Sequence, residues 1–303
     1  MRKYLLLAAA LVCLPTVALA QPDNWELVRK KTEAKLAEIA GSTRGIVGVA
    51  ALDLTSGERF GLNENLVFPQ GSAIKVPILL ELYRQAAEGQ LKLTDRLRVE
   101  KSQQVGGSGV LGQFSDGTSE LSLRDLAVLM IVLSDNTATN ILIERVGLES
   151  VNRTLASLGL ERTRLQRKMM DEAAKGRGEE NLSTPAEAAR LMEILFKCEG
   201  LERATCDDIL SILAIEKPGQ IRRGVPENVS VAFKPGSIPG VTVEWAIVQL
   251  KERPYALVVM ENFGLEGEGA QAMEKISRLL YDYFWRRSHS TRYGTYVDPA
   301  LIH

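Results

Sequence analysis

Apolar residues recur along this chain with two periods, and the switches between them divide it into three parts. Over 23–40, Trp25, Leu27, Val28, Leu36 and Ile39 return at helical spacing among Lys and Glu, and Gly41 stops the run. Residues 45–54 and 58–62 read as two strands joined by the turn Thr55-Ser56-Gly57. From Ser72 to about Ile215 the pattern is almost wholly helical: 73–88, 123–133, 137–146, 149–158, 185–197 and 204–215. Gly89, Gly147 and Gly159 close three of these helices, and Ser122 is a good N-cap with Asp125 near the positive end of its helix. Residues 161–183 are polar and aperiodic, a length that in a compact domain points to a functional loop. Beyond Pro218, residues 229–233, 241–250 and 255–261 alternate or run apolar with β-branched side chains, and 269–286 form a last amphipathic helix before a polar tail, 287–303.

Strands early and late, with helices between, predict an α+β fold of three layers (αβα). Short turns imply antiparallel pairing. One sheet, completed by both ends of the chain and carrying the terminal helices on one face, forms an α/β lobe from 21–70 and 216–286. The helical lobe spans 71–215. The crevice between the lobes is the natural ligand site.

Composition narrows the chemistry. Of 303 residues only His289 and His303 are histidines, both at the C-terminal end. A Ser–His–Asp hydrolase or a His-ligated zinc site needs histidine inside the fold, so proton transfer falls to Lys, Glu, Asp, Tyr or Ser, with no metal or cofactor expected. Lys plus Arg number 37 against 38 Asp plus Glu, without a basic stripe, which leaves nucleic-acid binding no electrostatic footprint. Arg2 and Lys3, the apolar run from Tyr4 to Val12 and the small residues of Ala18-Leu19-Ala20 predict a signal peptide over 1–20, hence export, to a periplasm. Cys13 follows Val12, which is not small, so a lipid anchor there is disfavoured. No later stretch is long enough to span a membrane, and the protein is expected to be monomeric. Export makes a Cys198–Cys206 bridge chemically feasible, and spacing leaves it open whether the two thiols are bridged or free.

Three short motifs carry reactive groups. Ser72-Ala73-Ile74-Lys75 puts a hydroxyl and an amine on one helix face, where Lys75 can reach Ser72. A serine needs a base to become a nucleophile, and a lysine becomes one when burial or a nearby cation lowers its pKa. Ser134-Asp135-Asn136 precedes a helix, and Lys234-Pro235-Gly236-Ser237 ends a strand. Singly these read as a helix start, an N-cap and a turn.

Together, in this order and spacing, they resemble the class A β-lactamase group of penicillin-recognising serine enzymes, over about 23–286. The resemblance implies that Ser72 attacks the carbonyl of a β-lactam or an acyl-D-Ala-D-Ala peptide, a small-molecule partner in either case. It implies that Lys75 takes the serine proton, that Ser134 passes one to the leaving nitrogen and that Lys234 supplies a positive field. Backbone N–H groups of Ser72 and Ser237 would form the oxyanion hole. Asn136 would bind the substrate's side-chain amide and help fix Lys75, and Gly236 would admit a ligand along the strand.

The departures are as informative. Class A enzymes read Arg-x-x-Arg-x-Glu in the middle loop, then Asn four residues on, and that glutamate activates the deacylating water. Here Arg164 and Arg167 match, but Met169 stands at the glutamate and Ala173 at the asparagine, while Asn181 replaces an acidic partner of the second arginine. Asp171, Glu172 or Lys75 remain as candidate bases. Pro235 replaces a hydroxyl residue, and 242–245 lacks an arginine that Arg222 or Arg223 would have to supply. The expectation is therefore a periplasmic serine hydrolase of β-lactams with slow deacylation. A D-Ala-D-Ala carboxypeptidase or transpeptidase is the alternative, and an acylated sensor or binding module a third reading.

Overall fold

A computed structural model describes residues 24–115 and 117–301. The expected signal peptide and His303 lie outside them. The chain runs α1 (Asn24–Ala40), β1 (Ile46–Asp53), β2 (Arg59–Leu62), β3 (Phe68–Pro69), a 3-10 turn (Gly71–Ile74), α2 (Lys75–Ala87), β4 (Arg96–Arg98), β5 (Glu120–Ser122), α3 (Leu123–Val132), α4 (Asn136–Val146) and α5 (Leu148–Ser157). It continues through α6 (Glu172–Gly176), β6 (Leu182–Ser183), α7 (Pro185–Lys197), α8 (Arg203–Ala214), α9 (Gln220–Arg223), β7 (Val231–Ile238), β8 (Val241–Val248), β9 (Tyr255–Asn262) and α10 (Glu268–His289).

Five strands form one antiparallel sheet in the order β2-β1-β9-β8-β7, so strands from both ends of the sequence pair at β1 and β9. Alternation along the strands splits the core in two. Leu36, Phe60, Tyr255, Leu257, Leu280 and Phe284 pack between the sheet and the terminal helices α1 and α10. Phe68, Ile74, Leu142, Leu191, Trp245 and Val258 pack between the sheet's other face and the helical lobe, with α7 lying across β1, β8 and β9. This is the α+β arrangement the pattern predicts.

Local chemistry sets several boundaries. Ser122 Oγ accepts from Asp125 N at 3.0 Å and Asp125 returns the bond at 3.2 Å, a capping box that starts α3. The 73–88 helix is in fact a 3-10 turn followed by α2, which puts Ser72 in the turn and Lys75 at the first residue of the helix. Residues three apart eclipse in a 3-10 turn, so the two side chains still share a face. β4 and β5 interrupt the stretch expected to be wholly helical, because strands of three residues are too short for alternation to register. β7 does not end at Lys234 but continues through Pro235 and Gly236 to Ile238. It is an edge strand, where a proline costs no ladder bond, and the turn falls at Pro239-Gly240, with Gly240 at φ +78°. Cys198 and Cys206 are bridged, tying the end of α7 to α8. α10 extends to His289, whose ring stacks on Trp285 at 4.4 Å.

Candidate active site

The 3-10 turn carrying Ser72 is fixed to the sheet edge by two glycines. A Cβ on Gly236 would stand 2.5 Å from Gln70 O, 2.8 Å from Ser72 N and 2.6 Å from Ala73 N. Gly71, at φ +47°, comes as close in return: a Cβ there would stand 3.1 Å from Ser237 N. The amides of Ser72 and Ser237 thus flank one interlocked backbone contact. Gly236 also lines the cleft, and the structure adds a reason for its missing side chain: the nucleophile turn packs directly on it. Gln70, fully buried, latches the turn from beneath: its Oε1 accepts from Trp245 Nε1 at 3.0 Å and its Nε2 donates to Phe68 O at 2.7 Å.

Across the cleft, Ser134 sits between α3 and α4 with φ +53°, a conformation rare outside glycine and concentrated at functional sites. Asp135 secures it. Its Oδ1 caps α4 by accepting from Ala138 N at 2.9 Å, and its Oδ2 accepts from Val110 N at 2.6 Å and Leu111 N at 2.8 Å. Asn136 extends the same seam, donating from Nδ2 to Gly106 O at 3.1 Å.

Two lysines converge on Ser134. Lys75 Nζ lies 2.7 Å from Ser134 O, 3.1 Å from Ser134 Oγ and 3.0 Å from Asn136 Oδ1. Lys234 Nζ lies 3.2 Å from Ser134 Oγ and donates to Pro235 O at 2.8 Å. Lys75 is 0% and Lys234 1% exposed. Burial, then the Lys234 charge, hold Lys75 well below the usual lysine range. Burial, then Lys217, push Lys234 down to about 7 against the opposing pull of Glu244. The resting hydrogen bonds of Lys75 thus go to Ser134 and Asn136 rather than to Ser72, so accepting the Ser72 proton requires Lys75 to exchange one of them. Between these groups lies a cleft of about 230 Å³ that Ser72, Ser108, Ser134, Lys234, Ser237 and Glu244 help to line. A larger hollow of about 610 Å³ between α1 and α10 is lined by surface Lys, Glu and Arg; chemistry rather than size singles out the smaller one.

The loop candidates lie elsewhere. Met169 is 8% exposed and packs into the core of the helical lobe. Asn140 grips its backbone on both sides, accepting from Met169 N at 2.8 Å and donating to Met169 O at 3.1 Å. Asp171 is exposed and caps α6, accepting from Ala174 N at 2.9 Å, and exposed Glu172 pairs with Lys175 at 3.3 Å. Both carboxylates expected as candidate bases are therefore engaged within their own helix turn. Arg167 pairs with Glu180 at 2.9 Å, while Asn181 Oδ1 accepts from the backbone of Gln166 and Arg167. Arg222 donates to the carbonyls of Val225, Pro226 and Glu227, and Arg223 to Gln220 Oε1 at 3.3 Å, so neither replaces the missing arginine. Sequence reasoning missed Ser108, Asn140, Lys217 and Glu244. The one available signal was Glu244, a carboxylate at an inward position of an otherwise apolar strand.

Comparison with known proteins bears on the family and the fold. The family model described as "Beta-lactamase enzyme family" matches residues 31–284. An imipenem-hydrolyzing β-lactamase of Enterobacter cloacae is 30% identical over 216 residues, 69% of this chain and 73% of that protein. β-Lactamase SME-1 of Serratia marcescens is 26% identical over 82% of this chain and 85% of its own length. The solved β-lactamase of Sphaerobacter thermophilus superimposes with a TM-score of 0.78 at 33% identity, over 84% of this chain and 97% of that one. PBP-A, also solved, gives 0.78 at 25% identity over 84% of this chain and 96% of that one. With motifs, fold and relatives in agreement, this chain belongs to the β-lactamase enzyme family, on its class A side.

Proposed function

We propose that this protein is a periplasmic serine hydrolase that opens β-lactam rings through an acyl-enzyme on Ser72 and releases the acyl group slowly. One observation carries the reading: a single hydroxyl, Ser134 Oγ, is held between two buried lysine amines, beside the turn that bears Ser72. Burial and the Lys234 charge hold the Lys75 amine well below the usual lysine range, which favours the free base that a proton acceptor needs. In acylation Ser72 Oγ bonds to the lactam carbonyl carbon as its proton passes to Lys75. The carbonyl oxygen becomes an oxyanion facing the N–H groups of Ser72 and Ser237, each worth roughly 3 kcal/mol in such a hole. When the C–N bond breaks, the ring nitrogen takes a proton from Ser134 Oγ, and Lys75 returns one to Ser134 across their 3.1 Å contact. Lys234 stabilises charge on Ser134 during that relay. Ser237 lines the substrate's path, and Asn136 holds Lys75 in place.

Deacylation needs a base for water. Met169 has none to offer, and Asp171 and Glu172 are occupied on the loop's outer side, which supports a long-lived acyl-enzyme. The apolar Met169 and the likeness to PBP-A also favour a second reading, a D-Ala-D-Ala carboxypeptidase or transpeptidase using the same acylation half. A mutant of PBP-A is described as an acyl-enzyme complex with penicillin G.

Intact-protein mass spectrometry after mixing with penicillin G tests the first step. A single adduct mapping to Ser72, absent in Ser72→Ala, is expected; an adduct that survives Ser72→Ala would reject the site. Release of D-alanine from an acyl-D-Ala-D-Ala peptide, faster than turnover of penicillin, would favour the second reading.

A further inference from the structure

Glu244 interrupts β8 where its neighbours are apolar, and it is 1% exposed. A buried carboxylate is costly unless hydrogen bonds hold it. Its bonds all go to one segment. Oε2 accepts from Gln220 N at 2.7 Å, Oε1 accepts from Ile221 N at 3.2 Å, and the Arg222 backbone N–H adds to them. Gly219, just before, is wedged against the same group: a Cβ there would stand 2.8 Å from Glu244 Oε1 and 2.3 Å from the Phe233 ring. Lys217 closes the segment's other end. Its Nζ sits 4.2 Å from the centre of the Phe233 ring and donates to the carbonyls of Leu213 and Ile215, where α8 ends. Between these anchors, Pro218, Gly219 and Gln220 form a wall of the cleft that holds Ser72 and Ser134.

We infer that Glu244 is a positioning residue of this cleft: by drawing the backbone N–H groups of 220–222 onto β8, it fixes the Pro218–Gln220 wall against which an acyl donor on Ser72 lies. The contact with the acyl donor rests on the proposed acylation of Ser72; the clamp on the wall does not.

The charges around Glu244 give a second, separable effect. Among the described residues, Lys217, Glu216, Arg222, Arg223 and, across the sheet edge, Lys234 are charged groups that face it or its segment. Burial raises Glu244 to about 7 and lowers Lys217 to about 8. Because Glu244 is the anion favouring charged Lys234, its removal moves the Lys234 titration to lower pH.

Two variants of the full mature chain separate position from charge. Glu244→Gln keeps the shape but replaces an acceptor oxygen with a donor facing N–H groups. Gly219→Ala presses the wall away by sterics against Phe233 and Glu244 while keeping the Glu244 carboxylate. In substrate-free protein, Glu244→Gln should speed amide exchange at 220–222 by about 10-fold or more and lower the Lys234 NMR titration midpoint by at least roughly half a pH unit. With penicillin G, read as the mass adduct on Ser72, the half-saturating concentration should rise about 10-fold while the limiting acylation rate stays within about threefold. Gly219→Ala should reproduce the exchange and half-saturation effects with the Lys234 midpoint unmoved. Exchange and half-saturation both within about twofold of the parent in Glu244→Gln would overturn the inference. Should that variant fail to fold, an unchanged wall in Gly219→Ala overturns it equally. If penicillin G never acylates the parent, the functional reading fails, and the exchange arm still decides the clamp.

Discussion

The cleft and the 161–183 loop are wired in opposite senses. At the cleft, the 3-10 turn, the start of α4 and the edge strand β7 point polar and charged atoms inward: Lys75 and Lys234 are buried against Ser134 with no carboxylate salt-bridged to either among the described residues. The segment from Glu161 to Ser183 pairs its charges with one another and with α4: Arg167 meets Glu180, Glu172 meets Lys175 and Arg177 meets Glu179, while Lys168 meets Glu144 of α4. Its inward residues Leu165 and Met169 join the apolar core. Buried amines without a salt bridge are costly to stability and apt for proton transfer, whereas exposed ion pairs are worth little of either. The difference teaches that the cleft gathers groups suited to proton transfer while the loop's contacts hold shape.

The largest test of that contrast lies at the cleft. Ser72→Ala should abolish the adduct, and Lys75→Met should slow acylation by about 10³-fold or more while Tm is kept or raised, since a buried amine is replaced by a thioether. Equal slowing by Asp171→Ala would break the contrast. Next, Met169→Glu should give the loop a base. Asn140 holds residue 169 by its backbone, so the side chain can change without loosening the loop. Deacylation should quicken by roughly 10²-fold and stability should fall by about 1–3 kcal/mol from the polar group brought into an apolar site.

The fold and the gathering of the motif residues were legible because each rests on a strong local signal. Period-2 and period-3.6 runs mark the sheet and the long helices, and the three short motifs flag the residues at 72, 75, 134 and 234 that the structure brings together. What escaped was set by tertiary packing. Lys75 turned from Ser72 to Ser134 because Ser134 adopts a left-handed backbone that no residue pattern announces. The close packing of Gly236 on Gln70 and Ser72 is a contact between segments far apart in the sequence. Asn140 looked like one more residue inside α4, yet it is what holds Met169. Asp171 looked like a spare acid until α6, a single turn too short for periodicity, claimed it as a cap.

Smaller effects sharpen the comparison. Lys217, lowered to about 8, is neutral in the folded chain between about pH 8 and 10.5, where the unfolded chain still binds the proton. The unfolded state therefore binds more protons, and stability rises with pH across that window. The parent relative to Lys217→Met should gain up to about 3 kcal/mol between those limits in urea unfolding. A parent that loses ground there would contradict the sign. Smallest of all, Asp171→Ala should cost about 1 kcal/mol as a lost N-cap and leave adduct lifetime unchanged.

The central claim, a competent acylation cleft beside a loop without a base, is tested most directly by mixing the mature protein with a chromogenic cephalosporin in slight excess. Product release should show a burst equal to the protein concentration, followed by a slow steady rate, with the mass adduct on Ser72 persisting throughout. Sustained rapid turnover with no burst and no detectable adduct would contradict the account and require a water-activating base at the cleft.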